Sequence, residues 1–305
     1  MNILIATEKP FAADAVGKIE QVIETAGYKT TLLEKYTEKQ QLLETVTDVD
    51  AIIVRSDIID AEVIKAAKNL KIVVRAGAGY DNVDLQAATA RNIVVMNTPG
   101  QNSNAVAELT FGLMIYSARN FYDGSPGTEL KGKRLGIHAY GNVGRNVARI
   151  ARGFGMEIFA YDIFCPAEII EKDGVIPLNS AEELYATCQY VSLHIPSTAE
   201  TKNSINRALL ENLPPKATLI NTARKEVINE TDLEEFMAAR KDFRYITDII
   251  PFNNANLKVK FPNRYFTTPK KIGAQTAEAN NNAGIAAASQ IVDFFKTGNR
   301  KFQVN

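Results

Sequence analysis

The sequence predicts an α/β protein built from two doubly wound parallel-sheet units, on three observations. Short β-branched runs recur along the chain, helical patterns separate several of them, and a polar, glycine-containing stretch from Asp123 to Gly132 divides one alternating series from a second. With 305 residues, 46% of them apolar, the chain can bury a sizeable core in each unit.

In the first series, Asn2 to Ala6, Ala51 to Val54, Lys71 to Val74 and Ile93 to Met96 are expected as strands, with helices over Ala12 to Ala26 and Asp60 to Ala67. The breaker Asn97-Thr98-Pro99-Gly100 closes that series, and one long helix from Asn104 to Phe121 is expected to join the two units. The second series begins at Arg134 to Ala139 and continues through Glu157 to Tyr161, Tyr190 to Leu193, Thr218 to Asn221 and Tyr245 to Ile250. A final helix is expected over Ala277 to Thr297.

Charge and cysteine content exclude several classes. Lysine plus arginine and aspartate plus glutamate both total 35, so no net field gathers nucleic acid or an anionic membrane, and an anionic ligand needs a local site. Cys165 and Cys188 lack zinc or redox spacing and fit a reducing compartment. No apolar run approaches the roughly 20 residues that span a bilayer, and the expected location is cytoplasmic. The acidic pairs Glu182-Glu183 and Glu234-Glu235 read as solvated helix faces, and no metal constellation stands out.

The segment RLGIHAYGNVGRNVARIARGFG sets out a strand, a turn and a helix in the order that a dinucleotide-binding turn requires. Ala139 stands at the first glycine position. Gly141 lets the backbone approach a pyrophosphate, Gly144 allows close packing of helix on strand, and Asn142 and Val143 open a helix whose N–H groups and dipole favour phosphate. Asp162 ends the next strand 18 residues beyond Gly144, where a carboxylate accepts hydrogen bonds from an adenosine ribose and repels a 2′-phosphate. The expected cofactor is NAD.

Seven segments in order then carry a resemblance: IIVRSD at 52–57, VVRAGAGYDNVD at 73–84, VVMNTPGQNSNAVAEL at 94–109, the dinucleotide turn, VSLHIP at 191–196, INTARKEVIN at 220–229 and TPKKIGAQT at 268–276. The chain resembles the D-isomer-specific 2-hydroxyacid dehydrogenases, and among them the short phosphoglycerate type without a C-terminal regulatory domain. This resemblance implies a substrate domain made of residues 1–98 and 272–305, with a Rossmann NAD-binding domain, 99–271, inserted into it. The cleft between the lobes would hold the chemistry. It also implies that the amides near Ala76 and Gly77 bind the substrate carboxylate and that Arg224 clamps carboxylate and carbonyl, a task suited to a planar fork. Thr222, Ala223 and Asp248 would touch the nicotinamide half of the cofactor, and His194, Ile195 and Pro196 would line the cofactor side. Arg55 and Arg75 match phosphate-side arginines, and Asn102 a substrate-contacting asparagine. The implied reaction is NAD-dependent oxidation of 3-phosphoglycerate to 3-phosphohydroxypyruvate, which would place the chain in serine biosynthesis, as a homodimer joined through the helix after Asn104.

The family's acid/base histidine before Ile-Gly and its supporting glutamate are both missing. Lys271 precedes Ile272-Gly273, Lys270 stands one place earlier, and the loop after Asp248 reads Ile249-Ile250-Pro251-Phe252-Asn253-Asn254. A neighbouring carboxylate raises a histidine toward neutrality but pushes a lysine further up, so the two departures agree chemically. Lys271 is therefore expected to be the base. The rivals are a hydroxypyruvate or glyoxylate reductase, a D-lactate dehydrogenase, and a non-catalytic NAD-sensing protein on the same fold.

Overall fold

Alternate residues along each interior strand feed two different cores, which is what parallel strands covered by helices on both faces require. In the computed structural model, which describes residues 1–305 apart from the side chain of Ala13, β1 (Asn2–Thr7) sends Ile3 and Ile5 into one cluster and Leu4 and Ala6 into another. The strands β2 (Lys29–Glu34), β3 (Ala51–Val54), β4 (Ile72–Arg75) and β5 (Val94–Asn97) complete a five-stranded parallel sheet in the order β2-β1-β3-β4-β5. The helix Ala277–Thr297 covers one face beside helix Ala13–Thr25, and Gly284 admits Ile19 there: a Cβ at 284 would lie 2.5 Å from Ile19 Cδ1.

The second sheet contains β6 (Arg134–His138), β7 (Glu157–Tyr161), β8 (Ile176–Pro177), β9 (Tyr190–Leu193), β10 (Thr218–Asn221), β11 (Arg244–Thr247) and β12 (Tyr265–Thr267). Its order is β12-β11-β10-β9-β6-β7-β8, with parallel pairing throughout. Strand order reverses between β6 and β9 here and between β1 and β3 in the first sheet, the switch points where open α/β sheets bind ligands.

The chain divides into residues 1–102 with 275–305, and residues 103–274. The first boundary falls at 102, just past 98, where Thr98 N–H donates to Gly77 O and Asn97 Nδ2 to Ala78 O. The second falls past 271 because the Gly273 N–H is bonded to Asp248.

Three strands were not expected from sequence: β2, β8 and β12, all sheet edges. β2 reads KTTLLE with none of its residues fully buried, and β8 and β12 run only two and three residues, whereas the fourth edge, β5, keeps an apolar run. The helix expected from Asn104 to Phe121 spans Ser103–Ala118. It stops because Asn120, Phe121 and Tyr122 take left-handed φ values of 51°, 55° and 59°, turning the Phe121 and Tyr122 rings onto Tyr116 at centroid distances of 5.1 and 5.2 Å. β11 ends at Thr247 instead of Ile250, because the Thr247 hydroxyl bonds both the N–H and the carbonyl of Ile249 and bends the chain.

Candidate active site

The dinucleotide turn leaves β6 at the switch point of the second sheet. Ala139 adopts φ 81°, a left-handed conformation that glycine takes without cost, so the first position of the fingerprint is strained. A Cβ on Gly144 would collide with the Ala139 carbonyl oxygen and lie 3.0 Å from Ile137 Cγ2, so Gly144 serves the contact of helix Asn142–Gly153 with β6. Above Gly141 there is open space within 4 Å, and no side chain caps the helix that it begins. The first-turn N–H groups at Asn142 and Val143 are thus left to an external acceptor.

Asp162 follows β7, and its carboxylate accepts the N–H groups of Tyr140 (2.6 Å), Phe164 (2.7 Å) and Cys165 (2.9 Å). Two of these bonds fall on Oδ1 and one on Oδ2, so the carboxylate is fixed in place while Oδ2 keeps acceptor capacity. These residues fit a dinucleotide: an open glycine, uncapped helix donors and a fixed ribose acceptor lie at adjoining strand ends. Replacing Ala139 by glycine should relieve left-handed strain of about 1–2 kcal/mol, offset in part by the more flexible unfolded chain. A net gain of up to about 1 kcal/mol is expected, read as a higher urea midpoint at unchanged m-value. A lower midpoint would show that Ala139 is not strained.

His194 follows β9, with its Nε2 2.8 Å from Ser192 Oγ. Enclosure by protein pushes its pKa down to about 3, and the nearby His138 ring acts in the same direction. Burial likewise takes His138 to about 4, against the opposing charges of Asp162 and Glu182. Both rings are neutral at physiological pH and unsuited to proton exchange there. Ile195 is buried beside His194, and Pro196 is exposed.

After β10 the chain is shaped by Asn221, which is fully buried. Its Oδ1 accepts the Ala223 N–H (2.9 Å) and its Nδ2 donates to Arg224 O (2.9 Å). One side chain thereby folds Thr222, Ala223 and Arg224 into a tight loop, a role that the residue order of the motif does not announce. Thr222 Oγ1 lies 3.4 Å from Thr110 Oγ1, and the Arg224 guanidinium donates one bond to Ala223 O (2.8 Å).

Asp248 follows β11 and is fully buried, bonded to Thr268, Ile272 and Gly273. Lys270 and Lys271 lie between those partners, and both are exposed. The loop after Asp248 has no acid of its own, yet one reaches it from elsewhere. Glu230, on the helix Glu230–Ala239, accepts the N–H groups of Phe252 and Asn253, each at 2.8 Å, and anchors the loop to that helix. The Lys225 ammonium caps the exposed Phe252 ring, 3.5 Å from its centroid.

In the other unit, Arg55 follows β3 and Arg75 ends β4. Arg75 Nε donates to Arg55 O (2.8 Å), and its guanidinium lies across Gly77, where any Cβ would collide with it. Gly77 also has φ 150°, a second reason for glycine there. The Ala76 N–H is spent on Val54 O (2.8 Å), so the amide contact to a carboxylate that the resemblance implies falls to Gly77. Arg55 reaches Lys9 O and Pro10 O, both at 3.0 Å, and Asn280 Oδ1 at 2.7 Å, which ties a loop and a helix to β3 and leaves fewer donors for a phosphate than expected. Asp57, for which the sequence suggests no role, braces the same strand ends by accepting the Glu8 N–H (2.6 Å) and the Tyr36 hydroxyl (2.8 Å). Asn102 is half-buried in the turn before helix Ser103–Ala118. Among the described residues there is no metal-binding cluster, and no helix is long and apolar enough to cross a membrane.

The profile of the family described as "D-isomer specific 2-hydroxyacid dehydrogenase, catalytic domain" matches residues 5–305. A D-3-phosphoglycerate dehydrogenase of Methanocaldococcus jannaschii is 34% identical over 95% of this chain, which spans 57% of that enzyme's length. A hydroxypyruvate reductase of Thermotoga maritima is 35% identical over 84% of this chain and 88% of its own. The crystal structure of NAD+-bound 3-phosphoglycerate dehydrogenase from Entamoeba histolytica superposes with a TM-score of 0.89 at 49% identity, covering 100% of this chain and 98% of that one.

Proposed function

The chain belongs to the D-isomer-specific 2-hydroxyacid dehydrogenase family, and from that membership we propose that it is an NAD-dependent D-3-phosphoglycerate dehydrogenase serving serine biosynthesis. The observation that carries this reading is the row of strand ends in residues 103–274, with Gly141 after β6, Asp162 after β7, Arg224 after β10 and Lys271 after β12. Gly141, Asn142, Val143 and Asp162 would hold the pyrophosphate and adenosine ribose. His194, Ile195, Pro196, Thr222 and Ala223 would lie toward the nicotinamide, while the Asp248 oxygens are taken by Thr268, Ile272 and Gly273. When bound, the cofactor exchanges a hydride with the substrate's C2.

The remaining work is the chain's own. Arg224 orients the substrate through its carboxylate and C2 oxygen, and Lys271 Nζ takes the hydroxyl proton during oxidation and returns it in reduction. A lysine near its ordinary pKa of about 10.4 is too protonated for this task. Lys271 is exposed, and the positive charge of Arg224 would be what favours its neutral amine. In the other unit, Arg75, Gly77, Asn102 and Arg55 would take part in recognition of the phosphorylated substrate.

The test compares NAD+ reduction with D-3-phosphoglycerate, D-glycerate and D-lactate at equal concentration. Hydrogen bonds to charged groups contribute about 1.5–3 kcal/mol each, so a preference of at least about tenfold in kcat/KM for the phosphorylated acid is expected. Preference for the unphosphorylated acids would overturn it in favour of a hydroxypyruvate reductase, the activity of the 35% identical relative. Tight NADH binding without turnover of any 2-hydroxy acid would leave a nucleotide sensor. Both cysteines are unpaired thiols, in keeping with a cytoplasmic enzyme. Helix Ser103–Ala118, whose Leu109 and Ile115 are only partly buried, is the surface through which we expect a homodimer.

A further inference from the structure

Lys271 sits in a loop whose two ends are fastened to one buried side chain. Oδ1 of Asp248 accepts the Thr268 hydroxyl (2.8 Å) and the Ile272 N–H (2.9 Å), while Oδ2 accepts the Gly273 N–H (2.8 Å) and lies 3.2 Å from Ile272 N. The Thr268 N–H is tied in turn to Thr247 O (3.1 Å) and the Asp248 N–H to Asn221 O (2.9 Å), so the carboxylate stands on the sheet itself. Gly273 packs against it closely, since a Cβ there would be 3.0 Å from Oδ2 and 3.4 Å from Val106 Cγ2. A fully buried carboxylate is costly unless its oxygens are satisfied, and this one is satisfied almost wholly by the segment that carries Lys271.

We infer that Asp248 is a positioning residue for the base, clamping Thr268 on one side and Ile272-Gly273 on the other so that Lys271 presents its amine from a fixed stretch of backbone. The inference rests on Lys271 being the proton-transfer group. It gives Asp248 a task separate from the cofactor contact expected from sequence, and it explains why a carboxylate stands there. An amide would turn its NH2 toward the N–H of Ile272 or Gly273, setting donor against donor in a buried place.

The experiment uses the full-length chain with Asp248→Asn, Lys271→Met and the double variant, and reads kcat, NADH affinity by fluorescence and the primary isotope effect with C2-deuterated substrate. A displacement of the order of 1 Å costs about 100-fold in rate, so D248N should lower kcat by roughly 10- to 100-fold. NADH affinity should stay within about twofold, the isotope effect should rise as the chemical step becomes limiting, and the double variant should be no slower than K271M, because residues acting as a unit are not additive. A NADH affinity weakened tenfold or more with an unchanged isotope effect would overturn the proposal and make Asp248 a cofactor residue. Additive losses in the double variant, or an unimpaired D248N beside an inactive K271M, would also overturn it while leaving the base reading intact. An active K271M would remove the base reading itself. Should D248N fail to fold, Thr268→Val deletes one donor while sparing the carboxylate and both N–H partners; a smaller loss of kcat with a raised isotope effect supports the clamp, and an unchanged isotope effect refutes it.

Discussion

Replacing Lys271 by methionine is expected to cut turnover by about 10²–10⁴-fold, the usual contribution of a general acid–base group, while NADH still binds. Methionine keeps the length and apolar stem of lysine but has no amine to take a proton from the C2 hydroxyl. The substitution lies outside the turn from Ala139 to Gly144 and outside Asp162, so the cofactor's phosphates and ribose should be held as before. Steady-state assay with 3-phosphoglycerate and NAD+, beside a NADH fluorescence titration, checks both halves. Lys270 is also exposed and adjacent, so Lys270→Met is the natural control and should stay within a few-fold of the parent. Turnover within tenfold of the parent for K271M would refute the assignment, and an inactive K270M in the same comparison would transfer the base to Lys270.

The second large effect is expected at Gly144. An alanine there drives its Cβ into the Ala139 carbonyl, and Ala139, already at φ 81°, has no relaxed conformation to yield into. Helix Asn142–Gly153 must then move off β6, at a cost typical of overpacking, about 1–3 kcal/mol, and its N-terminal donors move with it. NADH affinity should fall by at least about tenfold, the equivalent of 1.4 kcal/mol. Gly141→Ala provides the contrast, because open space surrounds that position. It should leave the unfolding midpoint nearly unchanged and still weaken NADH, separating a glycine kept for packing from one kept for a ligand. Equal destabilisation by the two alanines would contradict that division.

Interior strands were legible because their two apolar faces leave a continuous run, as in Ala51–Val54, and Asp162 because strand length fixes its distance from Gly144. The strands β2, β8 and β12 were not, since β2 is mostly polar on both faces and β8 and β12 are too short to show a pattern, while the edge strand β5 kept its apolar run. Within the site, the residue types were readable and their hydrogen-bond partners were not. Only the register of β3 against β4 shows that the Ala76 N–H is consumed by Val54. Nothing in the order of residues shows that Asn221 ties its own loop, or that Glu230 reaches a loop that lacks an acid of its own. Arg55 belongs with these: its motif suggests a phosphate ligand, and its geometry adds the task of binding Lys9, Pro10 and Asn280 together.

That last junction joins segments from opposite ends of the chain, and so does the packing of Gly284 against Ile19. It imposes an order on biogenesis. Residues 103–274 are contiguous and can close their sheet as soon as they leave the ribosome, which extends a chain by about 5–20 residues per second. Residues 1–102 emerge earlier but must wait, with the face formed by Ile3, Ile5, Ile19 and Ile53 uncovered, until Ala283, Ala287 and Ile291 arrive to close it. The half of the protein made first is therefore the half finished last, and during that interval its exposed isoleucines are a natural client surface for chaperones.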